Sequence, residues 1–142
     1  MARRRKRDRV DLHRSLDYLR VADNFYQGAE VAREFEYWNA AGVLIIHAAI
    51  AYADAITIKV AGIKSRGEDH RDLVDLIEEV VALDAQGRAA VNQLRRLIHE
   101  KSLVSYSGEV YTRADITRLG KLVERFRSWE CGWGQVYKVD FN

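Results

Sequence analysis

Two polar residues interrupt the most apolar stretch of the chain, and both can hold or move a proton. His47 breaks the apolar run 40–53, and Asp54 follows directly after it. They are seven residues apart, which is two helical turns, so a helix places them on one face. A buried polar side chain needs a hydrogen bond, and a buried carboxylate needs a hydrogen bond or a cation. Both His47 and Asp54 are therefore candidates for binding a ligand. The structural alternative, which we favour, is an ion pair or a satisfied core histidine that sets helix register.

A second polar group follows the apolar stripe of a later predicted helix. Lys101 lies four residues after Leu97, so it continues that stripe and must either extend to solvent or meet a partner such as Asp54. An ammonium beside hydroxyls and a phenol suits a phosphate better than it suits acid–base chemistry. The alternative, held equally, is a polar helix end that satisfies its own hydrogen bonds. The candidate ligand-binding residues are Lys101, Ser102, Ser105, Tyr106 and the nearby Ser107, with Asp54 and His47.

Other chemistry-bearing residues are weaker candidates. His99 and Arg95 share the outer face of the same helix, so we expect both to face solvent. Cys131 follows an acid, which does not favour a thiolate nucleophile. Acids at a helix start usually serve the cap and the helix dipole, so we predict no metal site and no cofactor. The residues to which this applies are Asp69, His70 and Asp72.

The elements that position these residues are predicted to be helices. Apolar residues recur at spacings of three and four, the chain contains no proline, and no segment has a strand pattern. Asn39 is the predicted N-cap of the second helix and Gly62 its C-cap, and Thr112 with Asp115 resembles a capping box. We therefore predict an all-α fold, an up-and-down four-helix bundle with an additional short helix. The predicted helices are 11–36, 39–61, 69–83, 88–103 and 112–132.

Length and charge divide the chain into three parts. Its 142 residues suit one domain, which we place at residues 10–131. Residues 1–9 are predicted to be a disordered basic arm, and residues 132–142 an aromatic tail. Residues 1–10 carry +5 and the remainder −3. We interpret the arm as solubilising in preference to phosphate-binding, because the body is not basic. The single cysteine and the lack of a signal or membrane segment favour a cytoplasmic protein.

Most of residues 11–131 resembles the HEPN family (higher eukaryotes and prokaryotes nucleotide-binding domains). The likeness lies in a long first helix, the very apolar second helix AGVLIIHAAIAYADAITIKVAG, the motif region LRRLIHEKSLVSYSGEVY and the basic helix RADITRLGKLVERFRSW. The family signature is an arginine, a polar residue, three variable positions and a histidine. The best match places Lys101 at the arginine, Ser102 at the polar residue and Tyr106 at the histidine. Both catalytic residue types are therefore replaced.

Three functions remain open, and the first two follow from the resemblance. The first is a non-catalytic module that binds a nucleotide, RNA or a partner protein such as a nucleotidyltransferase, and it is the one we favour. The second is a divergent metal-independent ribonuclease of toxin type, with Lys101 holding phosphate and Tyr106 or His99 moving protons. The third is a structural homodimer formed by aromatic residues near the C-terminal end. Those residues are Trp129, Trp133, Tyr137 and Phe141.

Overall fold

The protein is an all-α helical bundle, as predicted. The computed structural model describes residues 7–66 and 70–136, with side chains as far as Glu130. Within that part, four long helices form the bundle and two short ones complete it. The helices are α1 (Ser15–Glu34), α2 (Trp38–Ala61), α3 (Arg71–Val80), α4 (Ala85–His99), α5 (Lys101–Tyr106) and α6 (Arg113–Val136), preceded by a 3-10 turn at Leu12–Arg14.

Helix α2 is the central element because its neighbours surround it on nearly every side. It packs against α1 and α6 and also contacts α3, α4 and α5. Its many alanines allow this close approach, and Ala48, Ala49 and Ala53 are fully buried. In the described part of the chain, α2 is the one helix long and apolar enough to span a membrane, and most of that apolar stretch is buried inside the bundle.

A small antiparallel sheet closes one end of the bundle, which the sequence analysis did not predict. Strand β1 (Arg7–Arg9) pairs with β2 (Ile63–Ser65), with Arg7 opposite Ser65. Gly62 ends α2 in the left-handed conformation, at φ 65°, as its predicted C-cap role requires. Its carbonyl accepts a 2.8 Å hydrogen bond from Val10 N, which brings β1 alongside. Residues 7–9 are therefore not part of a disordered arm, and residues 1–6 of that predicted arm lie outside the described residues.

The guanidinium of Arg7 fastens β1 to helix α3. It donates to Glu79 at 2.7 Å and to Asp72 at 3.2 Å, and Ser65 Oγ donates to the same Asp72 carboxylate at 3.1 Å. These carboxylates raise the pKa of Arg7 still further above its ordinary value. A three-residue strand is too short to show an alternating pattern, and β1 is held by its backbone pairing with β2 together with these ion pairs to α3.

The turn from α1 into α2 differs from prediction in its capping. Two residues after the end of α1, Glu36 adopts the left-handed conformation at φ 62°, where glycine is usual. The amide of Tyr37 donates to Ala32 O and that of Glu36 to Arg33 O, so the helix closes with a Schellman motif. The prediction that Asn39 caps α2 is wrong, because the helix already begins at Trp38.

The predicted helix 88–103 is two helices. Helix α4 ends at His99 and α5 begins at Lys101, with Glu100 between them. The Glu100 carboxylate accepts hydrogen bonds from Tyr111 Oη at 3.0 Å and from the Arg118 guanidinium, so contacts with α6 and with the residue two positions before it hold this break. Lys101 therefore does not continue the apolar stripe of α4, and the helical-wheel argument for its position fails.

Helix α6 begins as predicted and ends later than predicted. Thr112 N donates to the Asp115 carboxylate at 2.8 Å, which confirms the capping box. The helix continues past residue 132 to Val136. Trp129, assigned to the aromatic contact of a dimer, is partly buried and packs against the core, with its ring 5.8 Å from that of Phe126. Tyr137 and Phe141 lie outside the described residues, as does the side chain of Trp133.

Candidate functional site

The segment that carries the candidate residues is held in place by Asn39. Its Nδ2 donates to Val104 O at 3.1 Å and to Glu109 O at 2.9 Å, and its Oδ1 accepts from Tyr111 N at 2.9 Å. One side chain at the start of α2 thus ties down α5 and the loop that follows. Gly42 allows the close approach, since a Cβ there would lie 2.8 Å from Val104 Cγ2.

This packing brings Lys101 into electrostatic contact with His47. The His47 ring is partly buried, and its centroid lies 5.7 Å from that of Phe25. Burial lowers the pKa of His47, and the Lys101 ammonium lowers it further. Among the described residues, neither side chain has an acidic partner or a hydrogen bond. The structure therefore places the Lys101 ammonium within electrostatic range of a partly buried imidazole on the partly open side of α2.

The other predicted residues of this region lie at the surface. Ser105 is one helical turn from Lys101 and shares its face of α5, whereas Ser102 and Tyr106 occupy the adjoining face. Both serines are exposed, and Tyr106 is 85% exposed. The Ser107 hydroxyl serves the helix end, because it donates to a backbone carbonyl of α5 and accepts from Glu109 N. For Ser107 the structure therefore agrees with the alternative stated above, in which a polar helix end forms hydrogen bonds with its own backbone.

Asp54 does not join this group. It is 7% exposed, and the cation that acts on it is Lys64 of β2, not Lys101 as predicted. Burial raises the pKa of Asp54 to about 7, and Lys64 opposes that rise. The Lys64 ammonium donates to Ser65 O at 3.3 Å and lies 6.0 Å from the ring centroid of Tyr18. Strand β2, which contacts α2, thus supplies the cation that acts on Asp54.

The weaker candidates are also located. His99 and Arg95 are exposed, as expected, and Arg95 binds Glu78 at 2.8 Å. Asp72 is held by Arg7 and Ser65, and the described residues contain no cluster of three metal-ligating side chains. Asp69 and the Cys131 side chain lie outside the described residues.

Sequence reasoning missed one polar group inside the bundle. The Tyr52 ring is buried, and its hydroxyl donates to the Asp23 carboxylate and accepts from Arg127 Nε at 3.0 Å. Arg127 also lies 4.7 Å from the ring centroid of Tyr26. This group joins α1, α2 and α6. A tyrosine in an alanine-rich helix was its only sequence signal, because a lone hydroxyl does not identify its partners.

Comparisons with protein-family models, with curated proteins and with solved structures found no match to this chain. The likeness to the HEPN family therefore depends on the sequence pattern alone. The function must be argued from the geometry around Lys101 and His47.

Proposed function

We propose that this chain is a HEPN-like, non-catalytic binding module that holds a phosphate-bearing ligand, a nucleotide or RNA, beside Lys101 and His47. One observation carries the proposal: the Lys101 ammonium acts electrostatically on the partly buried His47 ring, and within the described part of the chain neither side chain is paired with an acid. An anion would relieve their mutual repulsion and accept hydrogen bonds from both. The exposed hydroxyl of Ser105, on the same helix face as Lys101, can donate a third.

The same geometry supports binding in preference to cleavage. Lysine has a compact charge and lacks the two-pronged geometry with which arginine grips phosphate. Tyr106 is 85% exposed, and no described side chain is hydrogen-bonded to its phenol to draw off its proton. His99 is exposed on α4, outside the Lys101–His47 pair. A ribonuclease needs a base and an acid held on opposite sides of one phosphate, and these side chains supply no such pair.

The proposal is tested by ligand-induced thermal stabilisation. The full chain is melted alone, with a nucleoside triphosphate, with single-stranded RNA and with sulfate. A ligand at 100 times its Kd stabilises the folded state by about 2.7 kcal/mol. We expect the melting temperature to rise with at least one phosphate ligand and the rise to be lost in Lys101→Ala. The matched control is Lys121→Ala, which removes an exposed lysine of α6 and should keep the full response.

Three results would contradict the proposal. One is a melting temperature that no phosphate ligand changes. Another is an equal response in Lys101→Ala and the wild-type protein. The third is degradation of the RNA during incubation that disappears in Tyr106→Phe, which would establish the divergent ribonuclease instead.

A further inference from the structure

The two-stranded sheet at the C-terminal end of α2 has an unpaired edge. In the described part of the chain the sheet contains only β1 and β2. The 2.8 Å hydrogen bond from Val10 N to Gly62 O fixes the pairing, so the register turns the backbone N–H and C=O of Arg7 and Arg9 away from β2. No described residue forms a hydrogen bond with these backbone groups. Strand β1 therefore presents two residues with which another extended chain can pair.

An open hollow with an apolar floor adjoins this edge. Its volume is about 520 Å³, and it lies between the turn that follows β1 and the end of α2. Leu12 is 51% exposed in its wall, and Val10 and Ile63 are partly exposed. The turn packs closely on Gly62, where a Cβ would lie 3.2 Å from Val10 O and 3.3 Å from Leu12 Cδ2. These contacts hold the apolar side chains in place beside the free edge.

The charges around the edge are mainly positive, because β1, β2 and the adjoining Arg66 carry four bases and one acid. That acid, Asp8, pairs with Arg66 at 3.4 Å, and Arg7 is bound to α3. Asp11, which lines the hollow, is engaged as the cap of the 3-10 turn. The exposed guanidinium of Arg9 has no acidic partner among the described residues. A carboxylate on a strand added beside β1 can lie opposite Arg9, and cross-strand pairs of opposite charge are stabilising.

The residues of β1 disfavour a second copy of the same chain as the occupant of this edge. The strand reads Arg, Asp, Arg. Antiparallel pairing of β1 with its own copy about Asp8 would place arginine opposite arginine and aspartate opposite aspartate, and like charges directly opposite each other destabilise a strand pair. A nucleic acid would leave the backbone edge and the apolar floor unmatched. An extended acidic peptide matches the edge, the hollow and the free guanidinium together.

We propose that β1 is a docking edge for an extended acidic segment of a partner protein, which adds to the sheet as a third strand. Its backbone pairs with Arg7 and Arg9, and one of its carboxylates lies opposite Arg9. Because Arg9 and Val10 point to opposite faces of the sheet, an apolar side chain next to that carboxylate enters the hollow beside Leu12. Main-chain hydrogen bonds supply the affinity in this kind of recognition, and the hollow supplies selectivity. This site does not depend on the phosphate ligand proposed above.

Titration of the isotope-labelled full chain with synthetic peptides, followed by NMR, tests the proposal. The probe is acetyl-Glu-Val-Glu-Leu-Glu-Val-Glu-amide, in which acids and apolar residues alternate. We expect saturable binding, with slower solvent exchange of the Arg9 amide because that amide becomes hydrogen-bonded. The matched peptide with lysine in place of each glutamate should not bind. N-methylation of alternate peptide residues should abolish binding for the set that faces β1 and preserve it for the other set, since a methylated amide cannot donate.

Two protein variants separate the charge from the hollow. Arg9→Glu and Leu12→Ser should each weaken binding of the acidic peptide at least about fivefold, through like-charge repulsion and lost apolar burial respectively. The matched controls make the same changes on α1, at exposed Arg20→Glu and Val31→Ser, and should keep the wild-type affinity. Circular dichroism melts confirm that all four variants are folded.

Four results would overturn the proposal. The acidic peptide does not bind, the lysine peptide binds equally well, or the two N-methylated peptides bind alike. The fourth is an Arg9 amide that becomes protected as the concentration of the protein alone rises, which would identify a second copy as the occupant. The ligand-induced thermal shift of the Lys101–His47 site is a separate readout, so the failure of one proposal is distinguishable from the failure of the other.

Discussion

His47 and Asp54 occupy the same face of α2 two turns apart, yet they lie in opposite environments. Asp54 is buried in the half of α2 that leads to the β1–β2 strand pair, and Lys64 of β2 is the cation that acts on it. His47 is partly exposed beside α5, and the charge that acts on it is another base, Lys101. One region encloses an acid near a cation, and in the other no acid among the described residues pairs with either base.

The difference teaches that the covering segments, not the central helix, decide which polar residue is available to a ligand. On the enclosed side, the cover of this end of α2 is the β1–β2 strand pair. It is anchored to α3 by the ion pairs of Arg7 with Asp72 and Glu79. On the open side, α5 is only six residues long and buries only Val104. A ligand can therefore reach His47 more readily than Asp54.

Replacing the enclosed acid should give the largest effect. Burial raises the pKa of Asp54 to about 7 from an ordinary value of 3.8, so the folded state binds more protons than the unfolded state between these values. Folding stability should therefore fall as pH rises from about 4 to 7, by up to about 4 kcal/mol. Asp54→Asn should remove this slope and stabilise the protein at pH 8. Urea unfolding between pH 4 and 8 measures both effects.

The control for that measurement is Asp17→Asn, which neutralises an exposed acid of α1. Its pH profile should follow that of the wild-type protein. An Asp54→Asn variant with the wild-type slope would show that Asp54 is not enclosed, and the contrast with His47 would then disappear.

Removing the anchor of the cover should give the next largest effect. Arg7→Ala loses charged hydrogen bonds to Glu79 and Asp72, at a cost of about 2 kcal/mol. Because β1 then loses its hold on α3, water should gain access to Asp54 and the pH slope should shrink. Arg14→Ala, which breaks an exposed pair with Asp17, should cost only about 0.5 kcal/mol. If the stability of Arg7→Ala depends on pH as that of the wild-type protein does, then β1 does not contribute to the burial of Asp54.

The sequence was sufficient to predict the bundle because helical periodicity, caps and the apolar second helix are local signals. The Thr112–Asp115 capping box and Gly62 are examples, and both were located correctly. The position of α5 depends on Glu100 and Asn39, whose partners lie 11 to 72 residues away. Such pairings leave no trace in local spacing. The local pattern was enough to identify His47 and Asp54 as candidates, because both interrupt an apolar helix. It could not identify Lys64 as the cation that acts on Asp54, and the partner offered from the sequence was Lys101.

Loosening the open side should give a smaller loss of stability. Asn39→Ala removes three hydrogen bonds that hold α5 and the loop after it, at a cost of about 1.5 kcal/mol. The amide of Tyr111 should then exchange with solvent much faster, which hydrogen exchange detects. Asn92→Ala alters an exposed asparagine of α4 and should change stability by less than about 0.5 kcal/mol. Equal amide protection in both variants would show that Asn39 is not the clamp.

The smallest effect concerns the titration of His47 itself. Burial and then Lys101 lower the pKa of His47 below 6.5, so the unfolded state binds the proton more readily and stability should decline as pH falls through that value. The decline should be slight because the ring is only partly buried, and His47→Gln should abolish it.

An NMR titration of His47 isolates the role of Lys101. Lys101→Met should raise the pKa of His47, since it removes the neighbouring charge, whereas Lys121→Met should leave it unchanged. Saturating sulfate, a dianion at every pH used, should raise the pKa of His47 in the wild-type protein and have little effect in Lys101→Met. If sulfate changes neither titration, the two bases are exposed to solvent independently, and the open side of α2 differs from the enclosed side only in its lack of cover.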